Sequence, residues 1–360
     1  MIARPDKYRS YRSVNRPVNR PVNRSAKGLA LILVIFIVAL ASTIVVNLAY
    51  NTMISARSNS MTVKSLQAEY ILKSAVNVAR VLIQKDDTPE DAGDDLWAKF
   101  KDGIVIPTQL LGIDTPNIKV SLEIRPEESK LPLRSLLPTL AGKPDIRWRG
   151  ILSRLFDSLG FNEDEEEDQT KIYERRVFTG DELVAILIDY MDKDEDSYDS
   201  GDFASGIESD SQIPKGRFPN TKIRRIGELS TVPGFTPNRL RNLIPFVTTF
   251  GNSRVNINLA PRQVIKALHE DLDDSQVDQI IEFRKSELGP FTAQNRKEEL
   301  SNIVGDEIYS EVSSIVSVES RWFQVLSKVD FETSSYFMRA YIYETGQGEL
   351  PLIRSVELFG

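Results

Sequence analysis

One uncharged stretch, Leu29 to Asn51 (LALILVIFIVALASTIVVNLAYN), constrains this chain more than any other feature. As a helix, Leu29 to Ala49 spans about 30 Å, the thickness of a bilayer's hydrocarbon, and Tyr50 falls where aromatic side chains favour the interface. An ordinary secretory signal is shorter and ends in a small-residue cleavage site, whereas this core runs on. No Pro or Gly interrupts the chain from Leu29 to about Gln84. Ile71, Leu72, Ala75, Val78, Ala79 and Leu82 recur at spacings of three and four, so the pattern predicts one long helix, apolar all round in its first half and amphipathic in its second. Asp86, Asp87 and Pro89 end it.

Charge sets the orientation. Arg4, Lys7, Arg9, Arg12, Arg16, Arg20, Arg24 and Lys27 precede the span against a single acid, which holds the leader in the cytoplasm and sends the bulk outward, in a bacterium to the periplasm. The prolines of NRPVNRPVNR predict an extended tail up to Gly28. Removing that leader from the chain's 45 basic and 52 acidic residues leaves 37 against 51, a formal charge of −14 that repels polyphosphates. There is no Cys, which suits an oxidising compartment but excludes disulfides and thiolate chemistry.

Beyond the long helix, Asp94–Lys101 reads as helical or irregular, and Asn117–Arg125 (NIKVSLEIR) alternates as a half-buried strand does. Helical patterns follow at Arg147–Leu159, Asp181–Met191, Pro237–Leu243, Pro261–Leu268 and Asp274–Lys285. Alternation returns at Ser313–Val318, Trp322–Asp330, Tyr336–Tyr343 and Ile353–Phe359, segments expected to pair with Asn117–Arg125. Strands on both sides of a helical block imply an insertion. The expected fold is α+β: a long N-terminal helix packed on an antiparallel sheet, with a large all-α domain between strands. The expected divisions are a leader at 1–28, the helix at 29–85, a sheet domain from 86–130 and 311–360, and an inserted domain at 131–310.

Several separated strings carry a family resemblance: K-G-L-A-L-I-L at Lys27–Leu33, QAEYILKSAVNVARVLI at Gln67–Ile83 and LIDYMDKDEDS at Leu187–Ser197. GELSTVPGFTPNRL at Gly227–Leu240, VNINLAPRQVIKAL at Val255–Leu268, R-K-S-E-L-G-P-F at Arg284–Phe291 and SRWFQV at Ser320–Val325 follow in order. Together they resemble the general secretion pathway protein K family, minor pseudopilins of type II secretion systems. The resemblance implies a pilin-like fold with an inserted helical domain, and a subunit that caps or helps initiate a short periplasmic pseudopilus for the export of folded proteins. It also implies partners: I-like and J-like minor pseudopilins, a major pseudopilin, a prepilin peptidase and the inner membrane that anchors it.

Small Gly28 between the basic leader and the apolar run is where a prepilin peptidase would cut, leaving Leu29 as the new amino terminus and a target for N-methylation. Most pilin-like subunits carry Glu at the fifth mature position to neutralise a neighbour's amine, but Leu33 stands there. A subunit without that acid fits the family's place at the filament tip.

Asp189, Asp192, Asp194, Glu195, Asp196, Asp199 and Asp202 fall within fourteen positions after an apolar helix. Oxygen ligands at alternate positions suit Ca²⁺, yet Ser197 and Phe203 stand where an EF-hand needs Gly and a bidentate Glu. The resemblance points to a calcium loop with a later ligand at Glu208, while Ser209 departs from the family's pattern. The expected ligands of a structural Ca²⁺ are Asp192, Asp194, Asp196 and Glu208, followed by Asp189 and Asp199. Glu163–Asp168 (EDEEED) is expected to be a solvated or disordered segment without a ligand role.

A second reading stays open. LSTVPGF at Leu229–Phe235 and the NINLAP and GPF strings resemble helix-hairpin-helix units, whose turns offer backbone N–H groups to phosphate, as in a membrane-anchored DNA-uptake receptor. Lys222, Arg224, Arg225, Arg239 and Arg241 make one hairpin basic, but Glu270–Asp274 and the overall acidity oppose a phosphate track, so nucleic acid is not the expected partner. One His, no Cys, no Gly-rich phosphate loop and no Ser nucleophile motif argue against an enzyme, with His269 expected to be a surface side chain.

Overall fold

The computed structural model describes residues 24–113, 117–173, 175–332, 334–346 and 348–359. Contacts divide the chain into two units, Met1–Lys64 and Ser65–Gly360. Helix α1, Arg24–Gln84, belongs to both. The extended tail expected at 1–23 lies outside the described residues. Arg24–Lys27, also expected to be extended, are helical instead: the last proline is Pro21, and Arg, Ala and Lys are good helix formers.

In the first unit every residue from Gly28 to Val63 is exposed, and this is the helix long and apolar enough to cross a membrane. The hydroxyls of Thr43 and Thr52 donate to the carbonyls of Ala39 and Leu48 at 2.9 and 2.8 Å. Polar groups satisfied within their own helix are what a hydrocarbon environment requires.

In the second unit, β1 (Ile104–Ile106), β2 (Lys119–Pro126), β7 (Trp322–Phe331), β8 (Ser334–Tyr343) and β9 (Leu352–Phe359) form one antiparallel sheet in the order β1-β2-β7-β8-β9. Only β7 of the late strands pairs with β2; β8 pairs with β7, and β9 with β8. The alternation seen in the sequence is the alternation of burial, since Val120, Leu122 and Ile124 face inward with Phe323, Val325, Val329, Met338, Ala340 and Ile342. Ala68, Leu72, Ala75, Val76, Ala79 and Ile83 of α1 close this core, the alanines permitting close approach of helix and sheet. Fully burying each of Leu72 and Ile83 contributes about 2–3 kcal/mol.

Between β2 and β7 lies the helical block: α2 (Ile146–Ser158), α3 (Gly180–Met191), α4 (Pro237–Leu243), α5 (Arg262–Ala267), α6 (Asp274–Phe283), α7 (Arg296–Val304) and α8 (Asp306–Val312). Its own core gathers Trp148, Leu152 and Phe156 of α2 with Leu183, Ile186 and Leu187 of α3. Two short parallel pairs, β3 (Leu131–Pro132) with β4 (Val247–Thr248) and β5 (Val255–Asn256) with β6 (Val316–Ser317), tie its ends. The alternation expected at Ser313–Val318 therefore shrinks to two residues, and these join the block rather than the main sheet.

Block and sheet are fastened beside the C-terminal end of α1. Asp91 N–H donates to Val318 O at 2.9 Å, and the Asn256 amide donates to Asp91 O and to Ser320 Oγ at 3.1 and 2.9 Å. On the sheet's other face Phe250 stacks on Tyr341 with centroids 4.1 Å apart and lies 5.0 Å from Trp322.

Candidate cation site and the hairpins beside it

Helix α3 begins at a capping box, with Thr179 and Glu182 each bonding the other's backbone, and it ends at Asp192. The acidic loop that follows folds around Asp189, in the last turn. That carboxylate has no exposure and accepts three backbone N–H groups: Tyr198 at 2.7 Å, Ile207 at 2.5 Å and Glu208 at 2.9 Å. Burial raises its pKa to about 6 while those three bonds pull the other way. Asp189 thus draws both ends of the loop onto one side chain. Gly206 is required there because a Cβ would stand 2.1 Å from Asp189 Oδ2. Ser209, the departure from the family's pattern, bonds Ser197, hydroxyl to hydroxyl at 2.8 Å, and zips the loop from the other side.

The second group of oxygens has no such partners. Asp192 Oδ1, Glu208 Oε2 and Asn220 Oδ1 are buried without a hydrogen bond. Burial first, then the charges of Asp194, Asp189 and Glu208, push Asp192 up to about 8. Burial lifts Glu208 to about 7, with a side-chain hydrogen bond to Asn220 pulling the other way and the charges of Asp189, Asp194 and Glu195 adding to the rise. Asn220, at φ +49°, donates to the main-chain carbonyl of Asp194 at 2.7 Å, which draws Asp194 toward this group. Orphaned oxygens, two from carboxylates and one from an amide, with their charges mutually repelling, fit a hard divalent cation such as Ca²⁺.

The remaining expected ligands stand differently. Asp194 Oδ1 accepts Asp196 N–H at 3.1 Å and Asp199 Oδ1 accepts Gly201 N–H at 2.9 Å, both on the exposed side of the loop. Asp196 is exposed. Asp202 pairs with Arg149 at 3.1 Å, which holds its carboxyl down at about 2, and the same guanidinium lies 4.5 Å from the Phe203 ring. Asn220 escaped sequence reasoning because it is neutral and twelve positions beyond Glu208; a left-handed Asn between Pro219 and Thr221 was the available signal.

Sequence reasoning also missed Asp86, Asp91 and Asp95, which bring carboxylate oxygens within 4.8 Å of one another past the end of α1. Burial raises Asp91 to about 8 and Asp95 to about 7. Each is bonded, Asp86 to Trp97 Nε1 at 2.8 Å, Asp91 to Ser320 N–H at 2.5 Å and Asp95 to Ala92 N–H at 2.7 Å, so they fasten the turn that leads from α1 to the sheet.

The acidic run Glu163–Asp168 is not a loose segment. Asp168 accepts the N–H of Gly234 at 3.0 Å, Glu166 bonds the Thr236 hydroxyl, and Asp164 takes two bonds from Arg239. Arg239 is 1% exposed and also donates to the carbonyls of Gly234 and Phe161 at 3.1 Å each. In the second hairpin, Asn258 exchanges two hydrogen bonds with Phe291, at 2.8 and 2.9 Å, and Arg284 donates to the carbonyls of Ile257 and Ala260 at 2.9 and 2.8 Å. His269 is half-buried rather than a surface side chain, with Nε2 3.1 Å from Glu311.

Residues 255–304, the second hairpin and its surroundings, match the family model of type II secretion system protein K. The structure is similar to a chain of the GspK-GspI-GspJ complex of the type 2 secretion system from enterotoxigenic Escherichia coli, with TM-score 0.60 and 15% identity, over 84% of this chain and 99% of that one. No curated protein sequence matches the chain. The protein K resemblance drawn from the separated motifs and the α+β fold expected from it both hold.

Proposed function

From the premise that this chain carries the protein K signature on the protein K fold, we propose that it is a minor pseudopilin that forms the tip of a periplasmic pseudopilus with I-like and J-like partners and helps initiate its assembly. One observation carries this reading. A helical block of some 180 residues is inserted between β2 and β7 and fastened beside the C-terminal end of α1. In a filament built by stacking pilin-type subunits, that end is where the next subunit would sit. The block would exclude it sterically, so the chain terminates the stack without any catalysis. α1 supplies the single anchor in the inner membrane, Gly28 the cut for a prepilin peptidase, and Leu33 the missing acid.

Calcium would serve structure. When bound it supplies positive charge among carboxylates that otherwise repel. Asp192, Glu208 and Asn220 would hold it, while Asp189 organises the backbone around it and the carboxylates of Asp194, Asp196 and Asp199 stay on the solvent side. The DNA-uptake reading is disfavoured because the hairpin donor that would meet a phosphate, Gly234 N–H, is already occupied by Asp168, and Arg239 is buried.

Mass spectrometry of the protein taken from membranes of a strain with its own prepilin peptidase tests the reading. An N-methylated Leu29 terminus together with co-purified I-like and J-like subunits is the expected result. An intact Met1 terminus and no partners would refute it.

A further inference from the structure

The helical block and the sheet keep separate hydrophobic cores; among the described residues, Leu259 is the one from the block that packs against the sheet's core. The chain crosses between them twice, from β2 into β3 and from β6 into β7. At the second crossing three consecutive backbone N–H groups, those of Ser320, Arg321 and Trp322, are taken by two carboxylates. Asp91, in the turn after α1, accepts the first at 2.5 Å; Glu128, just past β2, accepts the other two, Trp322 at 3.0 Å. Glu128 thus stands on the first crossing and grips the second. It is 5% exposed, and a Cβ at Gly251 of the block would meet its Cγ at 3.4 Å, so the block's backbone lies against this side chain. Space flanks the grip: clefts of about 240 and 450 Å³ share Glu319 and Arg321 as walls, one reaching Asp91 and Glu344, the other Glu128 and Arg254. A seam held by polar groups between two cores is where relative motion is expected.

We infer that Asp91 and Glu128 form a proton-operated clasp: protonated, they hold the block closed on the sheet, and as they ionise they release Ser320–Trp322 and let the block move on its two crossings. Acids surround the first of them. Asp86 and Asp95 face Asp91 from its own turn, Glu344 from the end of β8 and Glu319 from the re-entry segment. Arg321 lines the same cleft but bonds the Tyr343 hydroxyl. Glu128 stands beside Glu127, which Lys130 pairs with at 2.8 Å, while Glu319, Arg254 and Arg321 line the cleft on its other side. Burial first, then Glu344, Asp95 and Asp86, pushes Asp91 from 3.8 up to about 8. Burial, with a smaller push from Glu127, lifts Glu128 from 4.5 to about 7, and in both the accepted N–H groups pull the other way. A carboxyl with a higher pKa in the closed seam than in water keeps its proton there. The closed state is therefore favoured most below about pH 4 and loses that advantage as pH rises to about 8. This device belongs to the seam and holds whether or not the chain caps a filament.

The chain lacks cysteine, so introduced thiols are unique. Full-length protein in detergent, with excess calcium at every pH, carries spin labels at Val105→Cys on β1 and Ile146→Cys in the block, sites 63 and 71% exposed. Between pH 5.5 and pH 9 the distribution of label-to-label distances is expected to broaden at least about twofold. Over the same range the amides of Ser320, Arg321 and Trp322 should lose at least about tenfold of their hydrogen-exchange protection, after correction for the intrinsic rate. Asp91→Asn combined with Glu128→Gln keeps an oxygen for each N–H and cannot ionise, so this protein should stay closed from pH 5.5 to pH 9. A wild type whose distances and protection do not change with pH overturns the clasp, as does a double variant that opens as the wild type does. Should the double variant fail to fold, Glu128→Gln alone decides the matter: the loss of protection should shrink at least about threefold, and an unchanged loss overturns the clasp.

Discussion

Asp192→Asn should change the stability of this protein in opposite directions with and without calcium. In the cation-free protein the Asp192 carboxyl is raised from 3.8 to about 8, by burial and then by Asp194, Asp189 and Glu208. A carboxyl whose folded pKa exceeds its unfolded value binds more protons when folded, so the cation-free protein loses stability as pH rises from about 4 to about 8. At about 1.4 kcal/mol per pH unit, a dry site would cost about 6 kcal/mol; partial exposure to water reduces this to about 1–3 kcal/mol. Asn keeps an oxygen and removes the charge. In chelator at pH 8 the variant should therefore melt higher, by about 2–4 °C for each kcal/mol recovered. In calcium at about a hundred times the dissociation constant, the wild type should gain about 2.7 kcal/mol and the variant much less. Thermal melting of the full chain in detergent, at pH 5 and pH 8 with calcium or with chelator, gives all the required values. The reasoning fails if calcium does not raise the wild-type melting temperature, or if Asp192→Asn melts lower than wild type in chelator at pH 8.

Gly206→Ala forces a methyl group against Asp189 and should open the acidic loop, costing about 2–4 kcal/mol and exposing 193–206 to protease whether or not calcium is present; an uncut loop would contradict it. Arg239→Met strips Asp164 and two buried carbonyls of their donor, and should destabilise by about 3 kcal/mol in urea titration, at the low end for a buried pair because Asp164 is 25% exposed and can rehydrate. Phe250→Ala removes the ring stacked on Tyr341 and should lower stability by about 1–3 kcal/mol and red-shift the fluorescence of Trp322, with no change in calcium affinity.

The elements that were legible in the sequence are those whose burial repeats over several periods. β2 shows alternating burial over eight residues, and α2, expected at Arg147–Leu159, runs Ile146–Ser158. β1 and the two short parallel pairs are two or three residues long, too short for any period. α7 buries only Leu300 and Val304 among polar neighbours, so its stripe is too thin to read. At the site, composition located the acidic loop but could not rank its members. Asp189 and Asp192 are three residues apart and chemically identical, and only the burial of the last helical turn gives one of them three backbone donors and leaves the other an orphan oxygen.

The same ambiguity governs the hairpins. A Gly-containing turn with exposed N–H groups binds any anion that reaches it, and sequence does not say whether that anion comes from a ligand or from the chain itself. Here Asp168 fills the turn at Gly234, while Asp164 neutralises the arginine that would otherwise face a phosphate. The acidic run that looked least structured is therefore what turns a nucleic-acid-type hairpin into a packing device. It shows how helix-hairpin-helix strings can serve packing within a body of charge −14. Acids close the turn at Gly234 and gather the loop around Asp189, so two of the block's irregular segments are built on carboxylates that receive backbone N–H groups.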